Sequence, residues 1–171
     1  MRIELEDVVG ARNGDRSSFE RVYEGTAPDL YKYALYTLGN PQDAEDVVSE
    51  TFVEAYKGLK NLRDETRFKP WIMKILSIRC KRKIAQYIQG KNLLDIDSAR
   101  DLFDLSENHV EKTEVLAALE NLQTEERQIV ILSVLQGYTT KEIASILSCP
   151  QGTVSSKLHR SLKKLRVMLG N

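Results

Sequence analysis

Residues 139–169, TTKEIASILSCPQGTVSSKLHRSLKKLRVML, decide how this chain is read. Thr139 and Glu142 stand at capping-box spacing, so hydroxyl and carboxylate can satisfy amides otherwise orphaned at a helix start. A short helix through Ile143, Ala144 and Leu147 follows. Ser148 to Gly152 interrupt it, and Pro150 suits the first turn of a second helix because its missing N–H has no intrahelical partner there. That second helix carries Val154, Leu158, Leu162, Leu165 and Leu169 at steps of four and three, which predicts one buried stripe. Ser155, Ser156, Lys157, His159, Arg160, Lys163, Lys164 and Arg166 occupy its other faces, and no acid occurs after Glu142. A short helix, a tight turn and a longer basic helix make a helix-turn-helix pattern. Small polar residues early in the second helix suit base-edge contact, and cations such as Arg160 and Lys163 suit flanking phosphates. The alternative for such a stripe is an ordinary solvated face.

Outward from this stretch, the 171 residues allow one large domain or two small ones, and 42% hydrophobic with 29% charged residues describes a globular chain. The formal charge of zero is an average over segments of opposite sign. From Thr66 to Leu94 there are eight basic residues and no acid, whereas Asp95 to Glu114 hold seven acids against Arg100 and Lys112. Such asymmetry bears on partners more than the total does. Cys80 and Cys149 form no CxxC, and His109 and His159 have no metal-binding spacing, so reduced thiols, no metal and no cofactor are expected. The N-terminal stretch has no apolar signal core and no segment approaches membrane length, which leads to a cytoplasmic expectation.

The periodicity predicts an all-α chain. Ile3, Leu5, Val8 and Val9 mark a short helix; Phe19, Val22 and Tyr23 mark a second, and Pro28 with Leu30, Tyr31, Ala34, Leu35 and Leu38 a separate third, stopped by Gly39. Asn40 caps the next helix, with Pro41 at its first position and acids at the positive end of its dipole. Its inner side is Ala44, Val47, Val48, Thr51, Phe52, Ala55, Tyr56 and Leu59. Asp46, Ser49, Glu50 and Val53 lie on another face, either a solvated surface or a docking face for a basic partner helix. A polar turn precedes a helix from about Phe68, whose Phe68, Trp71, Ile72 and Ile75 share one side while Arg67, Lys74 and Lys81 recur at sevens. Aromatics among bases suit a strand with unstacked bases, although Trp71 is better placed as a core anchor. Residues 91–111 read as an acidic linker. Helical spacing returns through Val115, Leu116, Leu119 and Leu122, and then from a Thr124 cap to a stop at Gly137. These expectations give two small helical domains, 1–90 and 112–171, the second a helix-turn-helix.

Four ordered segments, GDRSSFERVYE, NPQDAEDVVSETFVEAYKGL, FKPWIMKIL and LQTEERQIVILSVLQGYTTKEIASILSCPQGTVSSKLHRSLKKLR, resemble the extracytoplasmic-function group of bacterial sigma-70 factors. The resemblance implies a region 2-like first domain that docks on the clamp helices of the polymerase largest subunit through Asp46, Ser49, Glu50 and Val53. It implies −10 element contacts by Asn61, Arg63, Arg67, Lys74 and Lys81. A region 4-like second domain would read the −35 element through Thr153, Ser155, Ser156, Lys157, His159 and Arg160, with Lys163 on the same basic face. It further implies contact with the flap of the second-largest subunit, promoter DNA and an anti-sigma factor as partners, and no small-molecule substrate or enzymatic activity. The chain departs from the family pattern at Ile78 and Arg82 in the region 2 helix, and at Gln123. It also departs at Lys157, where lysine offers a point charge instead of arginine's planar fork. A stand-alone dimeric DNA-binding regulator is the rival from another class; an enzyme with an appended helix-turn-helix lacks clustered His or Cys and a phosphate loop.

Overall fold

The computed structural model describes residues 1–91 and 114–170, so the linker expected at 91–111 falls outside the described residues beyond Lys91. All regular structure among them is helical: α1 Leu5–Arg12, α2 Arg16–Leu38, α3 Pro41–Gly58, α4 Phe68–Lys91, α5 Glu114–Glu120, α6 Thr124–Val130, α7 Thr140–Leu147 and α8 Gln151–Met168. Two 3₁₀ turns, Leu59–Asn61 and Glu65–Arg67, lead into α4, and a π turn, Ile131–Leu135, continues α6. None of these helices is long and apolar enough to cross a membrane.

Local chemistry starts the helices. The Asp15 side chain accepts from the amides of Ser17 and Ser18 and from both hydroxyls, which holds its carboxyl down to about 2, chiefly through Ser18. Its unfolded value is about 3.9, so the contribution of the ionised cap is fully present above that pH and is lost as pH falls through the folded value of about 2. The gap between an Asp15→Asn variant and the parent in thermal melts should therefore shrink steadily from pH 5 to pH 2. A gap as large at pH 2 as at pH 5 would assign the effect to something other than this titration. At α3, the Asn40 side chain accepts from the Asp43 amide at 3.1 Å with Pro41 just inside the helix.

The separate helix expected from Pro28 does not exist: α2 is one 23-residue helix with Pro28 inside it. An internal proline costs about 3 kcal/mol through a lost backbone bond and a ring clash. A bond to another segment and burial offset it. The Gly25 carbonyl accepts from the Arg2 amide at 3.0 Å, while the Thr26 hydroxyl donates back to the Val22 carbonyl at 2.6 Å, a bond of the kind that accommodates a bend in a helix. Val22, Thr26, Leu30, Tyr33 and Ala34 are also completely buried along one side of the continuous helix, and each apolar member contributes roughly 1.5–3 kcal/mol by leaving water. Gly25 is required by close approach, since a Cβ there would sit 2.1 Å from the Arg2 carbonyl oxygen. Gly39, at φ 70°, closes α2 in the left-handed conformation expected of a helix stop.

In the first domain α2 packs on α1, α3 and α4. Met73, Leu76 and Cys80 fill its centre beside the predicted Phe68 and Ile72, while Trp71 and Ile75 are only partly buried. Tyr56, expected inside, is 64% exposed, its ring set edge-on against Phe19. In the second domain α6 and α7 pack on α8. The inward face of α8 is Val154, Leu158, Ser161 and Leu165; Leu162 and Leu169 are 41% and 38% exposed. Val154, Leu158 and Leu165 face inward as expected, but in the third turn the helix buries the small Ser161 in place of Leu162, and Leu169 lies at the exposed end of the helix. At α6, Gln123 takes the capping position without a side-chain bond and Thr124 is the first helical residue.

The two domains touch. α4 packs against α7, α2 against α6 and the π turn, and the apolar interiors are continuous. The Arg127 guanidinium donates to Leu119, Glu120 and Leu122 carbonyls at the end of α5 and, across the boundary, to the Thr37 carbonyl at the end of α2 at 3.0 Å. A cation there faces the negative ends of two helix dipoles.

Candidate nucleic-acid interface

The helix-turn-helix forms as its local chemistry requires. The Glu142 amide donates to the Thr139 hydroxyl at 3.3 Å and the Thr139 amide donates to the Glu142 carboxylate at 2.8 Å, closing the capping box. Those bonds hold the Glu142 carboxyl below its ordinary range. Ser148 ends α7 at φ 55°, a left-handed conformation rare for a residue with a side chain. Pro150 occupies the capping position of α8, one residue earlier than expected, and helix begins at Gln151.

On α8, Ser155, Ser156, His159, Arg160 and Lys163 are exposed and Thr153 is half-buried. They form a surface beginning at the N-terminal turn, where small side chains let a helix approach base edges, and continuing into cations one and two turns later. Lys157 differs from the others. It is half-buried, and its ammonium is paired with Glu125 on α6. Lys164 is likewise held by Glu126 at 3.1 Å. Part of the positive charge credited to α8 is thus neutralised from the supporting helix, while Arg160 and Lys163 make no ion pair among the described residues. Glu125 was not singled out from sequence because its partner lies 32 residues away.

The second basic surface lies on the first domain. Asn61 ends the first 3₁₀ turn, Arg63 follows in the loop, Arg67 ends the second turn, and Lys74 and Lys81 lie on α4; all five are exposed. This row borders α7: Arg67 is close enough to Glu142 to lower its carboxyl further, and Lys81 is close enough to Cys149 to oppose the rise that burial imposes on that thiol.

The face of α3 carrying Asp46, Ser49, Glu50 and Val53 is solvent-exposed, with Val53 at 56%. Its acids are not isolated. Arg79 donates to Glu50 at 2.8 Å and to Glu54 at 2.6 Å, and Lys83 lies 2.9 Å from Asp43 and 3.7 Å from Asp46. The Tyr87 hydroxyl donates to the buried Asp43, and burial together with that carboxylate raises the phenol. Arg79, Lys83 and Tyr87 are not among the residues expected from sequence, although a signal exists: positions 79, 83 and 87 repeat at four, and acids recur at 43, 46, 50 and 54.

Comparison with known proteins follows the same division. The family model for sigma-70 region 2 matches residues 22–87, and that for sigma-70 region 4 matches residues 112–165. The ECF RNA polymerase sigma factor SigX of Bacillus subtilis is 26% identical over 159 residues, covering 87% of this chain and 82% of that protein. The RNA polymerase sigma factor CarQ of Myxococcus xanthus is 27% identical over 165 residues, covering 93% of each. Among solved structures, CnrH in complex with the cytosolic domain of CnrY superposes with a TM-score of 0.73 at 24% identity, over 97% of this chain and 96% of that one. RpoE in complex with the anti-sigma factor NepR from Bartonella quintana gives 0.71 at 22% identity, over 89% and 96%.

Proposed function

We infer, from the premise that this chain belongs to the sigma-70 family of RNA polymerase sigma factors, that its exposed side chains divide promoter recognition between two domains. The chain is a promoter-selecting initiation factor, and bond-making chemistry belongs to the polymerase it joins. The observation that carries the division of labour is the presence of two separate basic surfaces, the α4 row and the α8 face, beside an acidic exposed face on α3.

In this proposal Asp46, Ser49, Glu50 and Val53 dock on the clamp helices of the largest polymerase subunit. Arg63, Arg67, Lys74 and Lys81 neutralise the phosphates of a −10 strand whose bases have left the duplex stack, with Asn61 supplying a hydrogen-bonding edge. Unstacking costs a few kcal/mol per base, recovered in these contacts. Thr153, Ser155, Ser156 and His159 meet base edges in the −35 major groove, and Arg160 and Lys163 hold the phosphates. Lys157, tied to Glu125, contributes to DNA contact only by exchanging that partner. The second domain also meets the flap of the second-largest subunit, and an anti-sigma factor covers these surfaces when the protein is inactive. All of this takes place in the cytoplasm, where promoter and polymerase meet.

The test is reconstitution: core RNA polymerase with this protein should start transcripts at discrete genomic promoters that core alone does not use. Tight binding to an inverted-repeat duplex without polymerase, and no co-elution with core, would replace this proposal with a stand-alone regulator. Within the reconstituted holoenzyme, Arg160→Ala with Lys163→Ala should weaken promoter binding about tenfold or more and flatten the log–log salt dependence by about two, near 0.9 per lost phosphate contact. Fluorescence anisotropy across a salt series measures both, and an unchanged slope would remove these two residues from the phosphate contacts.

A further inference from the structure

We propose that Arg79 and Lys83 are positioning residues for the polymerase-docking face of α3, holding Glu50 and Asp46 in place from the opposite side of the helix that reads the −10 strand. The inference rests on the docking role of α3 proposed above. Its basis is the ladder between α3 and α4. Arg79 spans Glu50 and Glu54, one turn apart, with separate guanidinium nitrogens, and Lys83 spans Asp43 and Asp46. Tyr87 ends the row on Asp43.

The side chains of Asp46 and Glu50 are each 56% exposed, whereas Arg79 and Lys83 are 26% exposed. The cations therefore lie beneath the acids and leave the outward carboxylate edges open. Glu50 gives one oxygen to Arg79, and a carboxylate has about four acceptor sites, so a basic partner can share it without displacing Arg79. An exposed glutamate without such a tether must lose its rotamer freedom when the partner binds, a cost that prior ordering removes. Because the same cations belong to α4, a partner gripping α3 also fixes the helix that carries Lys74 and Lys81.

Electrostatics alone makes the opposite forecast. Four carboxylates face two cations here, so deleting a cation leaves the face more negative and should tighten its hold on a basic partner. The sign of the effect thus separates positioning from simple charge. The experiment is competition binding of Arg79→Ala, Lys83→Ala and Arg79→Lys proteins to core RNA polymerase, with unfolding midpoints measured alongside. Positioning predicts about fivefold to tenfold weaker binding for each alanine variant at little-changed midpoint. Arg79→Lys should recover only part, because an ammonium lacks the planar fork that reaches both glutamates. Val53→Arg, on the same face but outside the ladder, tests docking itself: if it binds core like the parent, the docking role of α3 fails. If Val53→Arg binds poorly while Arg79→Ala and Lys83→Ala bind as well as the parent or better, docking stands and the positioning role is overturned.

Discussion

Arg127→Met should lower the unfolding free energy by about 2–4 kcal/mol and loosen the contact between the two domains. Two opposing effects set the size. Burial pushes the guanidinium down to about 10, still charged at neutral pH, which records a real cost of desolvating the cation. Against that stand its bonds to the carbonyls of Leu119, Glu120, Leu122 and Thr37, each charge-assisted bond contributing roughly 1.5–3 kcal/mol. Methionine keeps most of the stem's volume and removes every donor, so the desolvation cost is recovered while the carbonyls lose this donor. Urea unfolding reads the stability loss, and small-angle scattering should show a larger radius of gyration, since the Thr37 bond crosses between the domains and leaves the Gln136 bond to the Asp29 carbonyl to hold that side of the contact. Unchanged stability would mean that these carbonyls find other donors at no cost.

Reversal of the proposed docking face on α3 should have the largest effect on function. Asp46→Arg with Glu50→Arg is expected to weaken binding to core polymerase by about a hundredfold or more, because two attractive contacts with a basic partner become repulsive. The uncompensated double variant also sets new cations beside Arg79 and Lys83, which lie 2.8 and 3.7 Å from the replaced carboxylates. A Glu50→Arg, Arg79→Glu exchange separates the two consequences. It restores the pair between positions 50 and 79, at the loss of the 2.6 Å bond between Arg79 and Glu54, and leaves the outward charge at position 50 reversed. Retained thermal stability with lost co-elution on size exclusion assigns the loss to docking, and retained co-elution in both variants would count against the acidic face as the polymerase contact.

These two substitutions also show where sequence reading stops. Asp46 and Glu50 were legible as an outward face because helical periodicity fixes which positions share a side. The ion pairs beneath them were not, since Arg79 lies 29 residues from Glu50. Arg127 gave no sign of its role, its Thr37 partner being 90 positions away. The same limit explains Lys157, a −35 contact by the family resemblance, whose ammonium pairs with Glu125 in the folded protein.

The amino-acid sequence by itself determined the all-α class, the capping box at Thr139 and Glu142, the Asn40 cap, the Gly39 stop and the outward face of α3. Each depends on interactions within one turn of helix, where residue type and spacing are the whole of the physics. Tertiary structure decided the continuity of α2 through Pro28, the burial of Ser161 in place of Leu162, the Lys157 and Arg79 ion pairs and the Arg127 contact between domains. In those cases the local preference is worth a few kcal/mol or less, and packing against residues distant in the chain outweighs it.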